Sequence, residues 1–327
     1  MNKIQMYTYL HKKFYDAIST LLESKSVCSI LIAISGGQDS LCLIKLMQDY
    51  VKKYKFKLHI SYIYIDHQWK KDSKQQVEHL INLIKIRQEK IYIYQIQYIT
   101  KSELEARNLR YQILIQHAKI YRYSIIMTAH TNTDKIETFL QQLIRGTSID
   151  GATSLTNKRH LNQHIKIIRP LINFTRLDIN WFCRKFMLPV WSDNSNYEYN
   201  INRNRLRNEL LPYLNQYFFF NIEKQIHYFL TISDIENEYI KQNTIKLYLM
   251  SRHKTTLALN CLLLNKQHIA LQARTLQIFV YHNFNKTFNR NILKKLILQV
   301  NTTNINYSII KWENLYLKKY DNWLYIY

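Results

Sequence analysis

The amino-acid sequence predicts an α/β fold: a doubly wound, mostly parallel sheet, followed by a smaller, mainly helical second domain. Short apolar segments alternate with segments of helical periodicity between residues 27 and 168. That alternation is typical of right-handed βαβ units. Polar residues at 35–40, 66–67 and 130 each follow a predicted strand. Because ligands bind beyond the carboxyl ends of parallel strands, this edge is the expected site.

The individual elements follow from the same patterns. An amphipathic helix begins within residues 1–19, and Thr100-x-x-Glu103 has the spacing of a capping box. Gly146 ends a helix that starts at Asp134. The predicted strands are 27–34, 57–65, 91–98, 124–129 and 165–168, and further helices cover 38–54, the segment after Ser73 and the segment after Glu103.

The second half of the chain has a different pattern of polar and apolar residues. Residues 189–212 are polar and irregular, and helical spacing then covers 213–250, 266–283 and 288–300. A strand-rich tail over 305–327 has a turn at Asp321-Asn322. We therefore expect a catalytic domain over residues 1–212 and a helical substrate- or RNA-binding domain, with this tail, over 213–327.

Composition limits the possible partners. The chain has 46 Lys and Arg against 23 Asp and Glu, a net charge of +23, which favours a polyanion such as nucleic acid. Both predicted domains carry a positive excess. No apolar run approaches the roughly 18 residues that span a bilayer, and we expect no secretory signal and no membrane partner. The cysteines, Cys28, Cys42, Cys183 and Cys261, form no C-x-x-C pair and are expected to be buried and reduced.

Glycine is scarce, with four residues, whereas Ile, Lys, Asn and Tyr are abundant. An AT-rich coding genome produces this mix, which indicates a plastid or a reduced bacterium. Glycines that persist under such drift should mark backbone positions that need a positive φ or no side chain. The same drift inflates lysine and tyrosine, so most tyrosines are expected to pack rather than to stack on bases.

The stretch Ser35-Gly36-Gly37-Gln38-Asp39-Ser40 joins a strand to a helix. Paired glycines let main-chain N–H groups face an anion, and the helix N-terminus adds partial positive charge. Asp39 would repel phosphate unless a Mg²⁺ ion bridges them, so the stretch indicates a metal-bound nucleotide rather than a plain turn. It matches neither the Walker A pattern nor the dinucleotide fingerprint.

This stretch resembles the signature loop of the PP-loop ATP pyrophosphatases, which split ATP between the α- and β-phosphates. Further segments resemble those of one member family, the tRNA(Ile)-lysidine synthetases. They occur in family order over residues 27–212: Tyr64–Gln68, Glu105–Tyr111, Thr128–Thr138, Arg145-Gly146, Arg169–Leu171, Asp193–Asn196 and Arg203–Arg207. The chain departs from the family at Lys135, where glutamine is common, and at Thr147–Gly151, where glycines are lost. It also ends before a complete C-terminal domain of the long bacterial forms would fit.

The resemblance implies a two-step reaction. ATP adenylates the C2 oxygen of the wobble cytidine in a tRNA(Ile) with a CAU anticodon, and the ε-amine of free L-lysine then displaces AMP. The product, lysidine, pairs with A, so the tRNA reads AUA. The implied cofactors are ATP and Mg²⁺, and the implied partners are this tRNA and L-lysine.

The resemblance also implies roles for individual residues. The ATP site would be Ser35, Gly36, Gly37, Gln38, Asp39 and Ser40, with Asp39 holding Mg²⁺. The expected catalytic residues are Asp39, His130, Asp134, Glu137 and Arg145. His130 could instead cap a helix, and Asp134-x-x-Glu137 could be a capping box. Otherwise one carboxylate would hold the lysine ammonium, assist Mg²⁺ or act as the base.

The remaining charged residues divide between RNA contacts and helix-surface pairs. Arg203 and Arg207 share a helix face and, with Asn196, are the expected tRNA contacts. A charged helix start is the alternative for the two arginines. Glu105, Arg107 and Arg110 lie on one helix, and we expect Arg107 to form a solvated ion pair there.

Three alternatives remain. A PP-loop tRNA thiolation enzyme would need paired cysteines, and an amidotransferase synthetase would need a glutaminase. A non-catalytic RNA-binding scaffold would have no reason to keep Gly36, Gly37, Asp39 and Ser40. We expect a location in the plastid stroma, with a bacterial cytoplasm as the alternative. The oligomeric state is left open, a homodimer being one possibility.

Overall fold

The computed structural model describes residues 7–22, 29–54, 58–68, 73–85, 89–100, 102–191, 202–302 and 309–327. The chain divides into two compact units, Met1–Leu230 and Thr231–Tyr327. The division into functional domains at residues 212/213 stays a prediction.

A parallel sheet organises the first unit. Among the described residues its strands are β1 (Ser29–Ile34), β2 (His59–Asp66), β3 (Lys90–Gln95), β4 (Ile125–Thr128), β5 (Lys158–His160) and β6 (Lys166–Ile168), in the order β3-β2-β1-β4-β6-β5. All neighbours pair in parallel except β5 and β6. The predicted mostly parallel sheet is confirmed. The strand order reverses between β1 and β4, which creates a crevice at their carboxyl ends.

Helices cover this sheet. They are α1 (Tyr9–Leu22), α2 (Gln38–Tyr54), α3 (Ser73–Lys85), α4 (Glu103–Ile120), α5 (Asn132–Arg145), α6 (Ile149–Ala152) and α7 (Arg176–Lys185). The capping box predicted at Thr100 is wrong: Ser102 caps α4 by accepting a hydrogen bond from the Glu105 N–H. Gly146 ends α5 as predicted, with a φ of +75°.

Residues 202–217 are more regular than the sequence predicts. They form α8 (Asn202–Arg205), a π-helical turn (Leu206–Leu210) and α9 (Leu211–Tyr217). Leu206 and Leu211 are buried against Ile136, Phe139 and Leu140 of α5. Apolar contacts with α5 therefore support helical structure in a segment whose polar composition predicts a loop.

The second unit has its own core. Part of α10 (Ile222–Ser251) enters it, with α11 (Cys261–Asn265), α12 (Ile269–Phe284) and α13 (Arg290–Asn301). Its described strands, β7 (Ala258–Asn260), β8 (Ile310–Trp312), β9 (Leu315–Tyr320) and β10 (Trp323–Ile326), form an antiparallel sheet in the order β7-β10-β9-β8. The strand-rich tail and the turn after Tyr320 are confirmed, since Asp321 has a φ of +51°. The helix predicted over 213–250 is instead two helices, α9 and α10.

Cys42, Cys183 and Cys261 are buried free thiols, as predicted, and Cys28 lies outside the described residues. Among the helices that the structure describes, none is both long and apolar enough to cross a membrane.

Candidate active site

A cavity of about 380 Å³ opens at the carboxyl ends of β1, β2 and β4. It occupies the crevice that the strand order predicts. Most of the polar residues that the sequence singles out line it: Ser35, Asp39, Ser40, Asp66, His67, Glu103, Arg107, Arg110, His130, Asp134 and Arg203. Residues far apart in the sequence thus converge on one concave site.

A glutamine side chain of α3 supports the loop after β1. Gly36 has a φ of +78°, and a Cβ atom there would lie 2.9 Å from Gln76 Nε2. The same Gln76 amide donates a hydrogen bond of 2.7 Å to the Ser35 carbonyl. Gly36 is therefore required both by backbone conformation and by this close approach. A Cβ atom on Gly37 would meet only Ser35 Oγ, at 3.6 Å.

Ser40 stabilises the loop from within. Its buried hydroxyl donates to the Gly37 carbonyl at 2.9 Å and accepts from the Ser35 N–H at 3.3 Å. Ser35, in contrast, is exposed. The Ser40 hydroxyl thus stabilises the loop, and Ser35, Asp39 and Ser40 are the loop residues that line the cavity.

Asp39 lies in the first turn of α2 and faces the cavity. Burial raises its pKa to about 6, and the nearby Asp134 carboxylate adds to the rise. Arg176 and Arg207 act in the opposite direction. A bound cation would favour the charged form of this carboxylate, so Asp39 is the side chain best suited to hold one. Within the described ranges no three His, Cys, Asp or Glu residues cluster as a metal site.

His130 is a neutral group in the wall of the cavity. Burial lowers its pKa to about 3, with the arginines around it contributing. Its Nδ1 lies 2.8 Å from Thr128 Oγ1. The helix cap that follows is Thr131, which forms a capping box with Asp134. The capping-box spacing of Asp134 and Glu137 therefore does not describe the observed cap.

Two carboxylates of α5 bind two arginines that follow residue 201. Arg203 donates from Nε to Glu137 Oε2 and from Nη2 to Asp134 Oδ1, both at 2.5 Å. Arg207 donates to both Glu137 oxygens, at 2.5 and 3.0 Å. These pairs join α5 to the segment 202–210.

Glu137 and Asp134 have different surroundings within this cluster. The Glu137 side chain is 0% exposed, whereas that of Asp134 is 13% exposed and borders the cavity. Burial alone would raise the pKa of Asp134, but the Arg203 charge and the hydrogen bond from the Thr131 N–H hold it below its ordinary value. The same pairs raise the pKa of Arg203 despite its burial. Glu137 therefore contacts the two arginines and is closed to solvent, while the Asp134 side chain is partly open to the cavity.

A histidine–arginine pair forms the opposite wall. Arg110 donates from Nε and Nη2 to His67 Nε2, at 3.1 and 3.0 Å. Burial and the Arg110 charge lower the pKa of His67 to about 4, so the ring is a neutral acceptor. Arg107, expected in a surface ion pair, lines the cavity and lies 5.9 Å from the Tyr111 ring centroid.

Comparison with known proteins agrees with this geometry. A family model described as a PP-loop domain matches residues 10–214. The chain is 51% identical to the tRNA(Ile)-lysidine synthase, chloroplastic, of Gracilaria tenuistipitata var. liui, over 98% of this chain and 99% of that protein. It is 37% identical to the protein of the same name in Pyropia yezoensis, over 98% and 96% of the two chains. A tRNA(Ile)-lysidine synthase of Nostoc sp. is 35% identical over 83% of each chain.

The chain belongs to the tRNA(Ile)-lysidine synthase family of PP-loop proteins. The predicted resemblance is confirmed, and the PP-loop family implies the use of ATP. Among solved structures, the U34-tRNA thiolase NcsA of Methanococcus maripaludis superposes with a TM-score of 0.55 at 14% identity, covering 68% of this chain and 78% of that chain. At this identity the likeness shows the shared fold alone.

Some predicted residues lie elsewhere. Arg145 ends α5, about 16 Å along the helix axis from Asp134, and it lines a second cavity with Ile144, Arg205 and Tyr213. Asn196 lies outside the described residues. The predicted roles of both residues stay predictions.

The segment Arg169–Leu171, which the sequence analysis identified by its resemblance to the family, begins with a buried arginine. Arg169 is 3% exposed; it donates to the Thr156 carbonyl at 2.7 Å and to the Tyr111 hydroxyl at 3.4 Å.

Proposed function

We propose that this protein ligates L-lysine to C2 of the wobble cytidine of tRNA(Ile) with a CAU anticodon, through an adenylated cytidine. The observation that carries the proposal is 51% identity to a tRNA(Ile)-lysidine synthase over almost the full length of both proteins. The complete loop Ser35–Ser40 at the mouth of one cavity supports it. AMP and pyrophosphate are the other products.

The loop and α2 supply the ATP-binding groups. Main-chain N–H groups after Ser35 and the α2 N-terminus favour phosphate oxygens. The cofactor Mg²⁺ fits the donor set because Asp39 is a half-buried carboxylate whose pKa is raised by burial and by another carboxylate. Bound there, the ion would neutralise phosphate charge during pyrophosphate release. Asp39 would hold it together with the nucleotide.

Arginines and neutral histidines suit the adenylation step. Negative charge develops around the α-phosphate, and Arg107, Arg110 and Arg203 border the same cavity. His130 remains neutral at working pH, so it can donate or accept a hydrogen bond without adding charge. Because Arg203 is fixed by Glu137, it offers a preorganised cation rather than a mobile one.

The second step needs a carboxylate near the lysine ε-amine, which must lose a proton before it attacks. Asp134 borders the cavity and is the better candidate of the α5 pair. Glu137 is fully buried and accepts three hydrogen bonds from arginines, so we assign it to positioning. The cytidine itself would reach the arginine-rich wall.

Localisation follows the relatives. Two of them are named chloroplastic, and a third is the tRNA(Ile)-lysidine synthase of Nostoc sp.. The Ile-, Asn- and Lys-rich composition is in keeping with an organelle genome. We therefore place the activity in the plastid stroma.

The test is incorporation of labelled lysine. Purified full-length protein is incubated with ATP, Mg²⁺, ¹⁴C-lysine and a tRNA(Ile) transcript with a CAU anticodon. We expect label in the RNA, AMP release and ATP-dependent pyrophosphate exchange that needs the tRNA but not lysine. A transcript with the wobble cytidine changed to uridine is the RNA control, and Asp39→Asn is the protein control.

The outcomes separate the alternatives. Sulfur incorporation with a sulfur donor, and none of lysine, would establish a thiolation enzyme instead. The described cysteines make that outcome unexpected, because none of them lines the cavity. Binding of tRNA without turnover would identify a scaffold.

A further inference from the structure

The sheet of the second unit has two chemically different faces. Alternate residues point one way and are buried: Leu317 and Leu324 are both 0% exposed. Lys319 also points this way, and its Nζ donates to the Gln299 and Thr302 carbonyls around the end of α13. The intervening residues therefore point away from the helices of this unit.

The outward residues are aromatic and basic. Cross-strand pairing places Tyr325 opposite Lys318, and Lys311 opposite Tyr316. Tyr316 and Tyr327 exchange both main-chain hydrogen bonds, at 2.8 and 3.1 Å. We define the aromatic sheet face as Lys311, Tyr316, Lys318, Tyr320, Tyr325 and Tyr327.

Several rings of this face are accessible to solvent. Tyr320 and Tyr327 are 59% and 57% exposed. The Tyr316 and Tyr327 rings stack, with centroids 6.0 Å apart and an interplanar angle of 23°. Lys311 Nζ lies 5.9 Å from the Tyr316 centroid. A shallow cavity of about 430 Å³ opens beside Lys318, Tyr320, Tyr325 and Tyr327.

The charge of the face selects an anionic partner. Its six residues include no acid. Of the nearby acids, Asp321 lies in the hairpin turn and Glu313 pairs with the Lys286 ammonium. Residues 231–327 contain thirteen Lys and Arg against five Asp and Glu. Two aliphatic residues, Leu257 and Ile326, also line the cavity beside the face, but the two lysines among its six residues argue against an obligate apolar interface with another protein.

We propose that the aromatic sheet face binds unpaired nucleotides of the tRNA substrate, by stacking bases on tyrosine rings and pairing phosphates with lysines. Single-stranded RNA is bound in this way by sheet faces that carry aromatic side chains. Backbone positions two residues apart on one strand are about 6.6–6.8 Å apart, which leaves room for separate bases on separate rings. The inference rests on the proposed function for the identity of the RNA.

The test measures tRNA affinity and turnover separately. Full-length Tyr320→Leu and Tyr327→Leu proteins are titrated with fluorescently labelled tRNA(Ile), and lysidine formation is followed at saturating tRNA. Loss of one base stack raises the Kd about 5- to 150-fold. We expect that rise with an unchanged KM for ATP and unchanged turnover at saturation.

Two further variants serve as controls. Tyr320→Phe keeps the ring and should keep the affinity within about twofold, which separates stacking from misfolding. Tyr239→Leu changes a 71% exposed tyrosine of α10 that lies outside the face, and its Kd should not change. Titration of an isolated anticodon stem–loop shows whether the stacked bases belong to that loop: a rise in Kd for both RNAs places them there, and a rise for the whole tRNA alone places them elsewhere.

The results distinguish this inference from the proposed function. Unchanged Kd values in both leucine variants, with lysidine formation by the unaltered protein, overturn the stacking surface alone. A variant that changes sedimentation from dimer to monomer without changing the Kd shows a subunit contact instead. If the unaltered protein forms no lysidine yet its tRNA affinity falls in the leucine variants, the surface stands and the function fails.

Discussion

Replacing Glu137 by Gln should destabilise the first unit far more than an ordinary surface change. The Glu137 carboxylate accepts three hydrogen bonds from Arg203 and Arg207 and is 0% exposed. Glutamine keeps the shape but removes the charge, and its NH₂ group must face an arginine donor. Arg207 then loses the carboxylate that accepts both of its hydrogen bonds, and Arg203 keeps only Asp134 as a close counter-charge.

The expected size follows from these contacts. Removing one partner of a buried ion pair costs about 3–5 kcal/mol. At the lower end, about 3 kcal/mol of unfolding free energy corresponds to a fall in Tm of about 6–12 °C for a unit of this size. Since Arg203 borders the cavity, the tRNA-dependent kcat/KM should also fall, with little change in ATP affinity.

Thermal unfolding followed by circular dichroism tests this expectation. The matched control is Glu209→Gln, because Glu209 pairs with Arg205 at 3.2 Å with both side chains at least half exposed. Exposed helical pairs contribute about 0.3–0.5 kcal/mol. The double variant Glu137→Gln/Arg207→Gln should lose less than the sum of the single losses. Equal Tm shifts for Glu137→Gln and Glu209→Gln would refute the reasoning.

Three further changes have defined outcomes. Gly36→Ala should weaken binding of a non-hydrolysable ATP analogue and cost about 1–2 kcal/mol of stability through the positive φ. Gly37→Ala, in contrast, should keep the Tm of the unaltered protein. Calorimetry measures the binding and thermal melting the stability, and equal stability of the two variants would contradict the loop argument. Asp39→Asn should abolish lysine transfer yet stabilise the ligand-free protein above pH 6 by about 1–3 kcal/mol. Folding raises the pKa of this acid to about 6, so the unaltered protein loses stability as the pH rises from 4 to 6. A variant with the same dependence of Tm on pH would contradict the assignment. Arg145→Ala should raise the KM for tRNA and leave the KM for ATP unchanged, because Arg145 lines the second cavity. A raised KM for ATP in steady-state assays would instead place Arg145 at the nucleotide.

Local signals in the sequence predicted the frame of the first unit. Helix α2 begins and ends at the predicted residues because a buried strand, two glycines and an apolar stripe define it within one short segment. Strands β1, β2 and β4 were likewise recognisable as compact apolar runs. The loop that follows β1 was identifiable for the same reason, since its glycines and its acid are adjacent in the chain.

Elements that depend on distant partners were not predictable in this way. Strands β5 and β7 have three residues each and were not predicted; they form by pairing with β6 and β10. The N-cap of α4 is Ser102 and not the predicted Thr100, because either hydroxyl is near enough in sequence to cap this helix. The helical structure over 202–217 depends on burial against α5.

The sequence by itself determined the parallel frame, the family and the position of the loop Ser35–Ser40, because those signals lie within short contiguous segments. Only the tertiary structure decided that Arg203 and Arg207 bind Glu137, some 70 residues earlier, and that Arg145 lies away from the first cavity. It also decided which side of the β9–β10 hairpin faces α13 and which presents tyrosines. Alternation along a strand defines two faces, but only packing of the remaining chain determines which one is buried.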